Sequence, residues 1–251
     1  MDLPIAIIPA YEPDERLPRL ISRLQPDFGA FVVVNDGSRT TGRVFDALRD
    51  RNGVTVLDHD ENRGKGAALK TAFAEVLRRF PGVPGVVTAD ADGQHLPEDI
   101  VRVARALAAE PGRLVLGVRK FGAGIPFRSR LGNLWTRGEF RLLTGHSVRD
   151  TQSGLRGIPR ELLPALLEIP GDRYDYEIRM LVRAVRAPGG IVQLPISTVY
   201  ERGNATSHFR PLADTFSTQR ALFAEARGER LEKPQRTQRA QSRLGPCFGF
   251  W

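Results

Sequence analysis

Five short apolar runs recur along the first half of the chain, and longer amphipathic stretches separate them. Ile5–Pro9, Phe31–Asn35, Val54–Asp58, Gly85–Ala89 and Leu114–Val118 are too short for core helices, are rich in apolar and β-branched residues, and read as strands. Asp14–Leu24, Gly42–Asp50, Gly66–Arg79 and Pro97–Ala109 read as helices, with Leu17, Leu20, Ile21 and Leu24 on one face of the first and Pro97 in the opening turn of the last. Parallel strands need crossover connections, and crossover helices must cover the sheet. The expected fold class is therefore α/β, with a Rossmann-like, mostly parallel central sheet flanked by helices. The 251 residues, 41% of them hydrophobic, suffice for one such domain with a sizeable core.

After Val118 the pattern changes. Lys120–Arg130 is rich in Gly and Arg and reads as a loop. Leu131–Leu143, Arg160–Leu167 and Asp175–Arg186 read as helices, and Asp150–Gly157 as a loop or short strand. Ile191–Tyr200 reads as a strand interrupted by Pro195, and Pro211–Arg227 as a final amphipathic helix bearing Leu212, Phe216 and Phe223. There is no internal repeat and no linker. The expectation is one domain over 1–227, whose second half, 120–227, completes a site begun by 1–119. Residues 228–251 form a basic tail of disordered composition.

The formal charge is +8, and half of it is local: Arg227 to Trp251 carry six basic and two acidic residues. Such a balance suits phosphate-bearing partners, anionic membrane surfaces or nucleic acid, and no nucleic-acid-binding module is recognisable. The single cysteine, Cys247, rules out an internal disulfide and a thiolate zinc site. No apolar run approaches the ~20 residues that span a bilayer, and the N-terminus lacks the pattern of a signal peptide. The expected location is cytoplasmic, free or peripheral on the cytoplasmic membrane face.

Open parallel sheets bind ligands beyond the carboxyl ends of their strands. Three polar groups lie at such ends: Pro9-Ala10-Tyr11-Glu12, Asn35-Asp36-Gly37-Ser38 and Asp90-Ala91-Asp92-Gly93-Gln94-His95. Asp90 and Asp92 are spaced to bind a hard divalent cation, Mg2+ or Mn2+, with the Gln94 amide oxygen as a further ligand; alone, the pair also reads as a solvated acidic turn. Asp36 can accept hydrogen bonds from a nucleobase or ribose, or hold a turn. Tyr11 can stack on a base or simply pack. Asn62-Arg63-Gly64-Lys65-Gly66 opens a helix, allowing close backbone approach and a Lys65–phosphate contact. It is not a Walker loop, because Gly66 stands where Ser/Thr is required.

Taken in order, these pieces resemble family 2 glycosyltransferases of the GT-A fold, especially the polyprenyl-phosphate (dolichyl-phosphate-type) glucosyl- and mannosyltransferases. The resemblance is carried by Ile7-Ile8-Pro9-Ala10-Tyr11, Val32-Val33-Val34-Asn35-Asp36-Gly37-Ser38, Asn62-Arg63-Gly64-Lys65-Gly66-Ala67-Ala68 and Asp90-Ala91-Asp92-Gly93-Gln94-His95. Asp150-Thr151-Gln152-Ser153-Gly154-Leu155-Arg156, Tyr174-Asp175-Tyr176-Glu177 and Ser207-His208-Phe209-Arg210-Pro211 extend it over about residues 4–225.

The resemblance implies inverting transfer of a hexose from a nucleotide-diphosphate sugar to an acceptor such as polyprenyl phosphate at a membrane surface. Donor binding would fall to Pro9, Ala10, Tyr11, Glu12, Asp36, Lys65, Asp90, Ala91 and Arg119, and the metal to Asp90, Asp92 and Gln94. Asp92, Asp150 and Arg130 would be catalytic. Arg128, Arg202, Ser207 and His208 would meet the acceptor phosphate. Asp150 is the base for a hydroxyl acceptor, or else holds the Thr-Gln-Ser-Gly turn. A phosphate acceptor is already anionic and requires no strong base. Two departures stand out: Asn35 where the family usually has Asp, and a basic tail where many relatives have transmembrane helices. Other readings are a sugar-phosphate nucleotidyltransferase and a non-catalytic nucleotide-sugar sensor. The first is disfavoured by Pro-Ala-Tyr-Glu-Pro after the first strand, the second by the intact Asp90/Asp92/Gln94 set.

Overall fold

In the computed structural model, residues 4–119, 127–197 and 219–225 are described, with 127–135 as backbone alone. Strands β1 (Ile5–Ala10), β2 (Phe31–Asn35), β3 (Val54–Asp58), β4 (Gly85–Thr88) and β5 (Leu114–Arg119) alternate with helices α1 (Arg16–Leu24), α2 (Gly42–Arg49), α3 (Lys65–Arg79) and α4 (Pro97–Ala109). Then come α5 (Phe127–Thr144), β6 (Arg156–Pro159), a 3-10 turn at Arg160–Leu162, α6 (Leu163–Leu167), α7 (Tyr174–Arg186) and β7 (Ile191–Ile196). Residues 219–225 are helical.

The sheet has seven strands in the order β3-β2-β1-β4-β6-β5-β7, and β6 alone runs antiparallel to its neighbours. Side chains alternate across it. Ile5 and Ile7 of β1 and Val32 and Val34 of β2 join one apolar cluster with Leu69 and Phe73 of α3 and Leu181 of α7. Ala6, Ile8, Phe31 and Val33 join the other with Leu17 and Ile21 of α1, Phe45 of α2 and Val103 of α4. Both faces are therefore covered, as a parallel sheet requires.

The structure departs from the sequence expectations in three places. Residues 127–130, expected in a loop, are the first turn of α5. The segment expected as a loop or short strand at Asp150–Gly157 delivers its strand later, at Arg156–Pro159, where β6 inserts between β4 and β5. The expected interruption at Pro195 does not occur: β7 pairs through it, with Pro195 opposite Val118. As an edge strand, β7 needs to donate to one side only, so a missing N–H is tolerated.

The insertion of β6 has a consequence for the site. It joins a strand from the second half of the chain to the same sheet as β1–β4 and brings the Asp150–Leu155 segment to the carboxyl end of β4, where the Thr88 hydroxyl donates to the Gly154 carbonyl at 2.8 Å. Residues 219–225 also pack on the core, through Ala221 and the fully buried Leu222.

Candidate active site

At the ends of β1, β2 and β3 the polar groups satisfy one another. Glu12, with φ of 48°, accepts from the Arg39 amide at 2.7 Å and from the amide and hydroxyl of Thr40, while its own amide donates to Ser38 Oγ at 2.9 Å. Burial pushes the Glu12 carboxyl up, but these hydrogen bonds outweigh it and hold the group below its ordinary value. Asp36 is buried. Its carboxylate accepts from the Arg63 and Gly64 amides at 2.9 and 2.8 Å and faces His59 Nδ1 at 2.7 Å. His59 Nε2 lies 2.9 Å from Thr71 Oγ1. A neutral ring that donates from Nδ1 to the carboxylate accepts at Nε2 from the hydroxyl. Asp36 thereby fixes the loop that starts α3. Gly37, at φ of 74°, lets that loop approach, since a Cβ there would collide with the Glu61 backbone.

Asn35 fits its surroundings for a related reason. It stands opposite Asp58 across the β2–β3 pair, donates to Asp58 Oδ1 at 2.9 Å and accepts from the Ser38 amide at 2.9 Å. Arg49 grips both Asp58 oxygens, at 2.8 and 2.7 Å. Burial acts to raise the Asp58 pKa, while Arg49 and Asn35 hold it below the usual carboxylate range. An acid at position 35 would set a second negative charge against Asp58.

The end of β4 is built differently. Asp90 Oδ1 lies 2.6 Å from Lys65 Nζ, and Oδ2 lies 3.1 Å from His95 Nε2. Lys65 also pairs with Glu177 of α7 at 3.1 Å, and the fully buried Arg156 sits 3.8 Å from the same Glu177 oxygen. Burial works against the Asp90 anion, yet the Lys65 charge and the His95 contact hold its pKa far below the ordinary range; Asp90 and Glu177 hold the Lys65 pKa above its own ordinary value against the same penalty. Gly154 packs on this pair, and a Cβ there would lie 2.6 Å from Asp90 Oδ2 and 2.8 Å from Lys65 Nζ.

Asp92 has less relief, from the more distant Lys65 and His95 charges and one amide. Its Oδ1 accepts from the Gln94 amide at 3.0 Å, and among the described residues no cation pairs with it. Burial and the adjacent Asp90 charge raise its pKa. A carboxylate in that position is stabilised by an added cation. Among the described residues no cluster of three or more His, Cys, Asp or Glu is arranged to hold a metal ion. A divalent cation held by one or two carboxylates would complete its shell with water and substrate phosphate, as Mg2+ commonly does.

Of the remaining residues expected in the site, Pro9 and Ala10 end β1, with Ala10 buried, and Ala91 is partly buried against the second apolar cluster. Tyr11 is 37% exposed at the same edge. Arg119 grips Asp150 through Nε at 2.6 Å and Nη2 at 3.0 Å, and Asp150 Oδ1 also accepts from the Gln152 amide at 3.1 Å. The Asp150 side chain is 0% exposed. Of the two roles open to it, this geometry favours holding the turn and orienting Arg119. The side chains of Arg128 and Arg130, and all of Arg202, Ser207 and His208, lie outside the described residues. Sequence reasoning assigned no role to His59, Arg156 or Glu177. The glycines at 37 and 154 were the available signals, each marking a place where another segment presses close.

Comparison with known proteins agrees with this architecture. The glycosyl transferase family 2 profile matches residues 5–167. A UDP-N-acetylglucosamine–dolichyl-phosphate N-acetylglucosaminyltransferase of Methanococcus voltae is 30% identical over 77% of this chain and 84% of its own. A polyprenol monophosphomannose synthase of Mycolicibacterium smegmatis is 32% identical over 77% of this chain and 76% of its own. Among solved structures, M. tuberculosis glucosyl-3-phosphoglycerate synthase superposes with a TM-score of 0.62 at 21% identity, covering 92% of this chain and 82% of that one, which is a likeness of fold.

Proposed function

The chain belongs to glycosyl transferase family 2, and from that premise we propose that it moves a hexose from a nucleotide-diphosphate sugar to a polyprenyl phosphate, with inversion and with a divalent cation at Asp92. The observation that carries the reading is the contrast between Asp90, paired with Lys65 and His95, and Asp92, half-buried and in direct contact with neither, whose charge burial and Asp90 oppose more than those cations relieve it. Asp92 would hold the cation, with Asp90 and Gln94 beside it. Once bound, Mg2+ or Mn2+ would supply positive charge to a departing diphosphate. Lys65 would meet the same phosphates at the start of α3, and Tyr11 and Glu12 would border the nucleoside. The names of the relatives support a lipid-phosphate acceptor. The burial of Asp150 supports it independently: a phosphate acceptor needs no base, and Asp150 instead orients Arg119 at the end of β5. Arg128, Arg202, Ser207 and His208 remain the proposed acceptor-phosphate contacts, and Arg130 the proposed catalytic arginine.

A lipid acceptor places the work at a membrane surface. No helix of the described residues is long and apolar enough to cross a bilayer. The segment from Arg227 to Trp251, at +4, would give salt-sensitive attachment, on the order of 1 kcal/mol per basic residue near an anionic surface. Release of UDP or GDP from a panel of nucleotide sugars, measured with and without polyprenyl phosphate and with and without Mn2+, tests the whole reading. Release that requires both additions is expected. Release that ignores chelator would remove the metal, and release that ignores the lipid would remove the acceptor.

A further inference from the structure

A third carboxylate reaches the β4 edge from far along the chain. Glu177 lies in the first turn of α7, and its side chain is only 11% exposed. Its Oε1 is 3.1 Å from Lys65 Nζ, which is itself 2.6 Å from Asp90 Oδ1. Behind it, Arg156 donates from Nη1 to the Glu177 carbonyl at 2.8 Å, and its Nη2 faces the same carboxylate oxygen at 3.8 Å with no hydrogen-bond partner of its own. Charges therefore alternate inward from the site: Asp90, Lys65, Glu177, Arg156.

Backbone packing fixes this line. The start of α7 is pressed onto the start of α3: the Ala67 amide donates to the Asp172 carbonyl at 3.0 Å, Lys70 Nζ donates to the Gly171 carbonyl at 2.7 Å, and Gly66 leaves room for Tyr176, whose Cβ a side chain at 66 would meet at 2.6 Å. Buried ion pairs contribute little net stability compared with well-packed apolar residues, so a line of charges ending at a candidate site calls for a reason other than stability.

We propose that Glu177 is a positioning residue for the donor diphosphate: it holds the Lys65 ammonium at the mouth of the site and shares its charge with Asp90. With Asp90 as its sole anion, Lys65 would compete fully with any cation that Asp90 helps to bind. With Glu177 present, Lys65 keeps an anchor when Asp90 turns to a cation or when phosphate oxygens arrive. The half of the chain that carries the acceptor motifs thereby supports the donor half through one carboxylate. The inference rests on the donor site proposed above.

Calorimetric titration with UDP and with GDP, in Mg2+, tests it on the native protein, Glu177→Gln, Glu177→Asp, Lys65→Met and the double variant Lys65→Met/Glu177→Gln, with a thermal melt of each. We expect Glu177→Gln to bind the preferred nucleotide about tenfold more weakly while keeping a cooperative melt, and Glu177→Asp to recover part of the loss. We expect the double variant to bind no more weakly than Lys65→Met alone, because Glu177 acts through Lys65. Native affinity in Glu177→Gln, an additive loss in the double variant, or a Glu177→Gln protein that no longer folds would each overturn the assignment. A native protein that binds neither nucleotide would instead remove the donor site on which the inference stands.

Discussion

The two ends of one sheet edge treat their carboxylates in opposite ways. Beyond β1, β2 and β3, Glu12, Asp36 and Asp58 each accept several protein donors, and the loops they join are closed by those bonds before any ligand arrives. Beyond β4, Asp90 is held as firmly, yet Asp92, two residues on, keeps a charge that burial and Asp90 both disfavour. A chain shaped by stability alone would have neutralised Asp92. The first region is a preformed frame, and the second leaves an electrostatic deficit that a cation and its phosphates would fill. Uncompensated charge in a cleft is a recognised mark of function, whereas satisfied charge marks architecture equally often.

Asp92→Asn is the sharpest way to break the comparison, and it should act on activity and stability in opposite directions. Without the proposed metal ligand, transfer should fall by about a thousandfold or more, equivalent to ~4 kcal/mol of transition-state stabilisation. Stability at neutral pH should rise. The folded-state pKa of Asp92 lies above its ordinary 3.8, so this group favours folding below that value and loses its contribution as pH rises through the folded pKa. At pH 7 the ionised side chain is thus a cost that Asn removes, and below about pH 4 the melting difference between variant and native should close. A variant that turns over normally in chelator, or melts lower than native at pH 7, would leave Asp92 no different in kind from Asp90.

Asp36→Ala should do the reverse and strike stability first. It strips three donors of a buried acceptor: the Arg63 and Gly64 amides and the His59 ring. A loss of about 3 kcal/mol in a urea titration is expected, since each buried donor left unpaired costs about 1–3 kcal/mol. Weaker nucleotide binding should follow from the displaced loop that carries Lys65. Unchanged urea stability with weakened binding would instead make Asp36 a direct contact to base or ribose.

How much of this was legible beforehand depended on the range of each interaction. The first five strands and four helices are set by local periodicity, and their order followed from the sequence to within a residue or two. β6 was legible only as a loop or short strand at Asp150–Gly157, because Arg156-Gly157-Ile158-Pro159 has no strand period of its own and is held by partners on both sides. Pro195 misled because its edge position is a property of the sheet. At the site, Asp90 and Asp92 were readable from their place after an apolar run. Their difference was not, because it depends on Lys65, His95 and Glu177, which meet only when α3 and α7 pack. Asp36 stood undecided between ligand and turn for the same reason: His59 and the Gly64 amide reach it through tertiary contact.

Asn35→Asp probes the frame most gently. It restores the acid usual in the family and sets it against Asp58, at the position where the Asn35 amide now donates at 2.9 Å. In the native protein Asp58 has a lowered pKa, held down by Arg49 and Asn35 against burial, so its contribution to stability is present above its ordinary 3.8 and is lost as pH falls through the folded value. In the variant the two carboxylates raise one another, and the penalty exists only while both are ionised. Because the Asp58 side chain is 47% exposed, solvent screens the repulsion, and the expected loss at pH 7 is about 0.5 kcal/mol. Added salt should shrink it further. Melting curves of native and variant should therefore differ slightly at pH 7 and converge as pH drops below about 4, when one carboxyl takes up a proton. A difference that persists undiminished at low pH would mean that the lost amide hydrogen bond, and not charge, makes Asn35 the better residue there. An Asn35→Asp protein as stable as native at every pH would show that Arg49 alone neutralises this corner of the frame.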